Sequence, residues 1–262
     1  MKTLVIIPSR MSATRLPGKP LLKINNISII STVYKKAVEA DIGDVIVATE
    51  DQEILDDVKK NGGEAILTDN NHKTGTDRIY QALKKYNQKD IDFVMNIQGD
   101  EPMINIEDIK SLNIKSHNEY SSMSTLASKI ENQDDLKNQN VVKVKTNEIL
   151  NTQNFPTAVK FQRMIDLEEK VYHHLGIYCY SVSTLEKFIN LPQTENEKKN
   201  RLEQLRALDN GIDINVSLAK YSPIGVDTLE DYLAIKKIME YKNWYEKNLF
   251  SRNLWSLFSY CF

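Results

Sequence analysis

Short apolar runs alternate with helix-like stretches through the first half of this chain, and that alternation limits the fold more than any other feature. Leu4-Val5-Ile6-Ile7 reads as a buried strand, a helical stretch follows over 27–39, and Val45-Ile46-Val47-Ala48 reads as a second strand. A helix over 51–61, the run Glu64-Ala65-Ile66-Leu67, a helix over 75–86 and the strand Asp92-Phe93-Val94-Met95-Asn96 continue the pattern. Such alternation predicts an α/β fold, a mainly parallel, doubly wound, Rossmann-like sheet with helices on both faces. In sheets of this kind ligands sit beyond the carboxyl ends of the strands, where connections reverse direction. The loop after Ile7 and the loop after Asn96 both fall there.

The second half is less regular. A helix over 105–120 precedes strands over 123–126, 141–144 and 172–180; helices over 181–190 and 197–210, a strand over 214–218 and a closing helix over 229–244 follow. No linker, repeat or low-complexity stretch divides the chain, so it reads as one domain over 1–245 with an inserted substrate and dimerisation lobe over about 125–215. The segment 246–262 is an unexpectedly apolar tail.

Composition narrows the possibilities. A net charge of −2 argues against a broad basic face for nucleic acid, so the cations near the start serve a local purpose. Two cysteines, Cys179 and Cys261, support neither a disulfide framework nor a zinc site. No apolar run reaches the roughly 18 residues needed to cross a bilayer, and no signal-peptide layout opens the chain, so the expectation is a cytoplasmic protein with no membrane partner.

The richest stretch is Ile7-Pro8-Ser9-Arg10-Met11-Ser12-Ala13-Thr14-Arg15-Leu16-Pro17-Gly18-Lys19-Pro20. A loop with three cations and small residues, placed directly after a strand, is suited to a polyanion such as a nucleoside triphosphate. It is neither a P-loop, since proline follows Lys19, nor a dinucleotide fingerprint, since the required glycines are missing. Gln98-Gly99-Asp100-Glu101-Pro102 follows another buried strand, and its carboxylate suits a hard divalent cation, although Gly-Asp after a strand is commonly a plain turn. Asp227, taken alone, could cap the last helix, with Glu230 completing a capping box. Thr74-Gly75-Thr76-Asp77-Arg78 opens a helix and is either an ordinary cap or an anion or base site.

Taken together these blocks resemble the cytidylyltransferases that make CMP-3-deoxy-D-manno-octulosonate (CMP-Kdo). The first loop matches P-x-R-x-x-S-x-R-L-P-G-K-P-L with Ala13 in place of serine, and Ile97-Gln98-Gly99-Asp100-Glu101-Pro102 matches V-Q-G-D-E-P. Thr74-Gly75-Thr76-Asp77-Arg78 matches S-G-T-D-R, His174-Leu175-Gly176-Ile177-Tyr178 matches H-[IL]-G-I-Y, and Leu202-Glu203-Gln204-Leu205-Arg206 matches L-E-Q-L-R. Gly225-Val226-Asp227-Thr228-Leu229-Glu230-Asp231 matches G-V-D-T-P-E-D with leucine for proline. The resemblance spans about residues 3–245. It implies a nucleotide-diphospho-sugar transferase fold and transfer of CMP from CTP to Kdo with release of pyrophosphate, for lipopolysaccharide synthesis.

The resemblance also assigns roles. Arg10, Lys19, Asp100 and Asp227 would be catalytic, with Mg²⁺ on Asp100 and Asp227. Arg10, Arg15, Lys19, Thr74, Arg78 and Gln98 would bind the nucleotide. His174, Tyr178, Glu203 and Gln204 would meet the sugar, and a homodimer is implied. The family's A-x-x-F-S-R-S-x-I-P is altered here to Ala158-Val159-Lys160-Phe161-Gln162-Arg163-Met164-Ile165-Asp166, which keeps Arg163 as the clamp for the sugar carboxylate but loses its neighbours. Two alternatives stand beside this reading: a cytidylyltransferase for a related acid sugar, and a non-catalytic nucleotide-binding relative.

Overall fold

β1 (Thr3–Ser9) has no exposed residue, and two-sided burial of this kind requires a covering layer on each face. The computed structural model describes residues 1–12, 15–87, 90–132, 134–165 and 169–258, with side chains placed as far as residue 245. Ala13, Asp166 and the last four residues therefore lie outside the described residues. After β1 come a 3-10 turn at Lys19–Leu21 and a hairpin of β2 (Lys23–Ile24) and β3 (Ile27–Ser28). Asn25 and Asn26 both take positive φ, at 51° and 65°, which is the two-residue turn that asparagine tolerates. The expected helix over 27–39 accordingly starts later, as α1 (Ile29–Glu39), with the Ser28 hydroxyl accepting from Ser31 N–H.

The alternation then runs as expected through β4 (Gly43–Thr49), α2 (Gln52–Lys60), β5 (Ala65–Leu67), α3 (Gly75–Tyr86), β6 (Phe93–Asn96), α4 (Ile106–Asn118) and β7 (Met123–Ser128). Beyond it lie α5 (Asp134–Lys137), β8 (Lys143–Thr146), β9 (Ala158–Gln162), β10 (Val171–Ser181) and α6 (Val182–Asn190). The chain ends with α7 (Glu195–Asn200), α8 (Leu205–Asp209), β11 (Ile214–Leu218) and α9 (Leu229–Phe258), which takes in 246–258 without a break.

The main sheet has the order β11-β7-β10-β6-β1-β4-β5. β6, β1, β4 and β5 are parallel, as are β11 and β7, while β10 runs antiparallel between β6 and β7. β8 pairs with the start of β10, and β9 pairs with β8, extending that side of the sheet. Apolar residues fill both faces. Leu4, Ile6, Val94 and Tyr180 belong to a core shared with α3 and α6, and Val5, Ile7, Met95 and Cys179 to a core shared with α1, α2 and α4.

Two local expectations are corrected and one strand is added. β8 lies at 143–146 rather than 141–144, and β9 is a strand where the sequence pattern predicts none. The single helix over 197–210 is two short ones, because Arg201 turns into the left-handed region at φ 53°. The fold is held across that break by a buried ion pair, Arg206 Nη2 to Glu197 Oε1 at 2.6 Å and Nε to Oε2 at 2.8 Å.

Candidate active site

The carboxyl ends of β1 and β6 and the start of α3 enclose a cleft of about 400 Å³. It is lined by Ser9, Arg10, Arg15 and Lys19 from the first loop, Lys73, Thr74 and Arg78 from the start of α3, and Gln98, Gly99, Asp100 and Asp227. Two glycines shape it. Gly18 takes φ 72° and donates its N–H to Met11 O at 3.1 Å, which closes the first loop on itself. A Cβ on Gly99 would lie 3.0 Å from both Ile30 Cδ1 and Pro8 O, so glycine lets the β6 loop approach the first loop without displacing either. Met11 N–H also donates to Asp51 Oδ2 at 2.8 Å, tying the loop to the end of β4.

Lys19 is the centre of the charge arrangement and is 15% exposed. Its Nζ donates to Asp100 Oδ2 at 2.5 Å, Val226 O at 3.0 Å and Asp227 Oδ1 at 3.3 Å, while Arg15 Nη2 meets Asp227 Oδ2 at 2.9 Å. Residues more than 200 positions apart are thus drawn to one point. A small apolar cluster beneath them, Ile24, Ile29, Val226 and Ile235 with Leu16 and Leu22, packs the first loop against the start of α9.

The two readings of Asp227 separate here. The cap of α9 is formed by other residues: Thr228 Oγ1 accepts from Asp231 N–H at 3.2 Å, and Asp231 Oδ2 accepts from Thr228 N–H at 2.9 Å. Glu230 is not the reciprocal partner, and the Asp227 carboxylate is left to face the cleft cations. Asp100 and Asp227 therefore form a pair of oxygen donors converging on one cation, the Lys19 ammonium. Neighbouring Glu101 is pushed up to about 8 by burial and by the charges of Asp100 and Asp227, and its Oε2 has no hydrogen-bond partner.

Thr74 and Arg78 line the cleft but are engaged within the protein. The Thr74 hydroxyl and Asp77 form a capping box at the start of α3. The Arg78 guanidinium is buried, bonded to Glu50 and, at 2.5 Å, to Thr68 Oγ1. Gln98 Nε2 donates to Gly176 O at 2.9 Å, joining the nucleotide side to β10.

The residues assigned to the sugar by resemblance lie on that side of the sheet. A bulge at Leu175/Tyr178 shifts the register of β10 against β7, and Thr125 Oγ1 spans it with bonds to Leu175 O at 3.1 Å and Ile177 O at 2.7 Å. His174 and Tyr178 still share a face, their rings 5.5 Å apart. His174 is buried beside Thr125 Oγ1 at 3.0 Å, and burial pulls its pKa down to about 3, so it is neutral. Burial also raises the Tyr178 hydroxyl well above its ordinary value. Glu203 accepts from Thr76 Oγ1 at 2.9 Å, its pKa is raised by burial, and its Oε1 is buried without a hydrogen-bond partner. Gln204 is buried next to it.

Arg163 stands apart from this group. It does not line the cleft, and its guanidinium donates to three backbone carbonyls, Asn200 at 3.0 Å, Gln139 at 2.9 Å and Arg201 at 3.1 Å. Buried Lys143 donates to Arg163 O at 2.8 Å from behind. The sequence assigns no role to His72, Lys73, Glu50 or Glu101; Glu101 is visible inside the Gln98–Pro102 motif, and Lys73 as a cation directly before the helix-capping Thr74.

A family model described as Cytidylyltransferase matches residues 4–214. A 3-deoxy-manno-octulosonate cytidylyltransferase of Thermodesulfovibrio yellowstonii is 42% identical over 251 residues, covering 91% of this chain and 98% of the relative. One from Rhodopseudomonas palustris is 39% identical over 241 residues, with 91% and 98% covered. Among solved structures, CMP:2-keto-3-deoxy-manno-octonic acid synthetase complexed with CTP superposes with a TM-score of 0.83 at 32% identity, covering 92% of this chain and all of that one. This chain belongs to the cytidylyltransferase family.

Proposed function

We propose that this protein transfers CMP from CTP to 3-deoxy-D-manno-octulosonate, giving CMP-Kdo for lipopolysaccharide synthesis and releasing pyrophosphate. The observation that carries the reading is the convergence of Asp100 and Asp227 on Lys19, inside a cleft bounded by the Arg10–Lys19 loop, in a chain whose relatives bear that enzyme's name. The anomeric hydroxyl of the sugar attacks the α-phosphorus. A sugar–oxygen–phosphorus bond forms as the hydroxyl proton passes to solvent, the bond from that phosphorus to the bridging oxygen breaks, and the electron pair leaves with pyrophosphate. Arg10, Arg15 and Lys19 neutralise the charge that gathers on the departing oxygens. Catalysis by positioning and charge requires no protein nucleophile.

The donor set fits a hard divalent cation. Two carboxylates already reach toward one positive centre, and phosphate oxygens and water can complete the oxygen ligands that Mg²⁺ prefers. Asp100 and Asp227 would hold it, and it would supply positive charge to the phosphate oxygens. Thr74, Arg78 and Gln98 shape the nucleotide side, Arg78 through the wall it braces. His174, Tyr178, Glu203 and Gln204 offer the sugar donors and acceptors, and Glu203 Oε1, which has no hydrogen bond and lies 3.6 Å from Arg206 Nη2, can accept from a hydroxyl. The commitment of Arg163 to backbone carbonyls favours one second reading, a related acid sugar whose carboxylate is held elsewhere.

A homodimer in the cytoplasm is the expected setting. No helix among the described residues is long and apolar enough to cross a membrane, and exposed Leu229, Leu233 and Ile238 on α9 offer a surface that a second copy can cover. The functional reading is tested by pyrophosphate release across combinations of nucleoside triphosphate and acid sugar.

A further inference from the structure

Five cationic side chains line the cleft, and three of them are balanced inside the protein. Lys19 and Arg15 are paired with Asp100 and Asp227, and Arg78 with Glu50. The other two are Arg10 and Lys73, both exposed, and among the described residues neither has an acidic or hydrogen-bonding partner. They come from different walls that meet. A Cβ built on Gly75 would lie 4.0 Å from Pro8 Cγ, so the start of α3 rests on the end of β1. Lys73 thus stands two residues before that contact on one wall, and Arg10 two residues after it on the other.

We propose that Lys73 is a nucleotide-binding residue, its ammonium meeting an oxygen of CTP. The inference rests on the functional reading above and extends it to a residue outside the recognised motifs. An ammonium on a cleft wall, with no carboxylate to satisfy it, is available to a ligand oxygen without first breaking a protein ion pair. Its position directly before the first turn of the twelve-residue α3 adds to its own charge the field of the helix amino end, which favours electronegative ligand atoms. The contact differs from that of Lys19, whose ammonium is already shared between two aspartates.

The test is calorimetric binding of CTP, CMP and cytidine to the wild-type protein, to Lys73→Gln and to Lys60→Gln, an exposed lysine of α2 outside the cleft. Lys73→Gln should weaken CTP binding by about tenfold, as loss of one charge-assisted contact does, while Lys60→Gln changes it less than about twofold. A CTP loss that persists with CMP and cytidine places the contact on the nucleoside, and one confined to CTP places it on the outer phosphates; either supports the assignment. Unchanged CTP affinity in Lys73→Gln overturns it, and so does an equal loss in Lys60→Gln, which would report overall charge alone. Wild-type protein that binds no CTP overturns both this assignment and the functional reading, whereas a silent Lys73→Gln in a CTP-binding protein overturns this assignment only.

Discussion

Asp100 illustrates how much of this site depends on single charges. Its carboxylate is held 2.5 Å from the Lys19 ammonium, at the end of a buried strand that does not depend on it for packing. Asp100→Asn keeps the shape and removes the charge. Turnover should fall by two orders of magnitude or more, measured as pyrophosphate release, with the thermal unfolding midpoint close to wild type. Retention of most Mg²⁺-dependent turnover would remove Asp100 from the metal-binding role. His174 carries a different kind of prediction. Because burial holds it neutral down to about pH 3, the unfolded chain takes up its proton near pH 6.5 before the folded one can. Stability from this residue is therefore full above pH 6.5 and lost as pH falls toward 3. The stability difference between wild type and His174→Gln should shrink by on the order of 3 kcal/mol between pH 7 and pH 4, read by urea unfolding. A difference that stays constant with pH would mean that His174 titrates normally.

Among the elements, the junction between α7 and α8 is set by tertiary structure. Leu202, Leu205 and Leu208 have the spacing of one helix, but the break at Arg201 is fixed by tertiary bonds: Arg206 to Glu197, and Arg163 to the carbonyls of Asn200 and Arg201. β9 has no strand signature in the sequence because its burial does not alternate: Ala158 and Phe161 are buried, and Val159 and Lys160 between them are exposed. By contrast α3 and the strands β1, β4 and β6 were legible, since each has a continuous apolar run or a capped start. In the site, the first loop stands out by charge and position, whereas Asp100 stands out only beside that loop and the motif it resembles. The division of labour around Asp227 could not, because Thr228 and Asp231 take the cap only in three dimensions. The same geometry gives Arg163 a bracing role. Arg163→Ala should cost about 1–3 kcal/mol of stability and loosen amide protection around 200–204, measured by hydrogen exchange. Unchanged protection together with a raised sugar KM would return Arg163 to the carboxylate.

At the level of the whole molecule, a buried sheet brings together four segments far apart in sequence: the loop after β1, the start of α3, the loop after β6 and the segment before α9. The parallel strands β1 and β6 end side by side, which places the cations of one loop against the carboxylate of the other. Asp227 arrives from the far end of the chain, anchored by Val226 N–H on Asp100 O at 2.9 Å and by the apolar contacts beneath α9. Glu203 meets the start of α3 through Thr76 Oγ1, and Gln98 ties the loop after β6 to Gly176 of β10, two residues from His174. The central claim is that this assembly joins CTP to Kdo. Its most direct measurement is pyrophosphate release by the purified protein with each of the four ribonucleoside triphosphates against a panel of acid sugars, Mg²⁺ present. The account predicts release with CTP and Kdo well above every other combination, with CMP-Kdo as the second product. Equal release with other triphosphates, or none with Kdo under conditions where another acid sugar reacts, would contradict it.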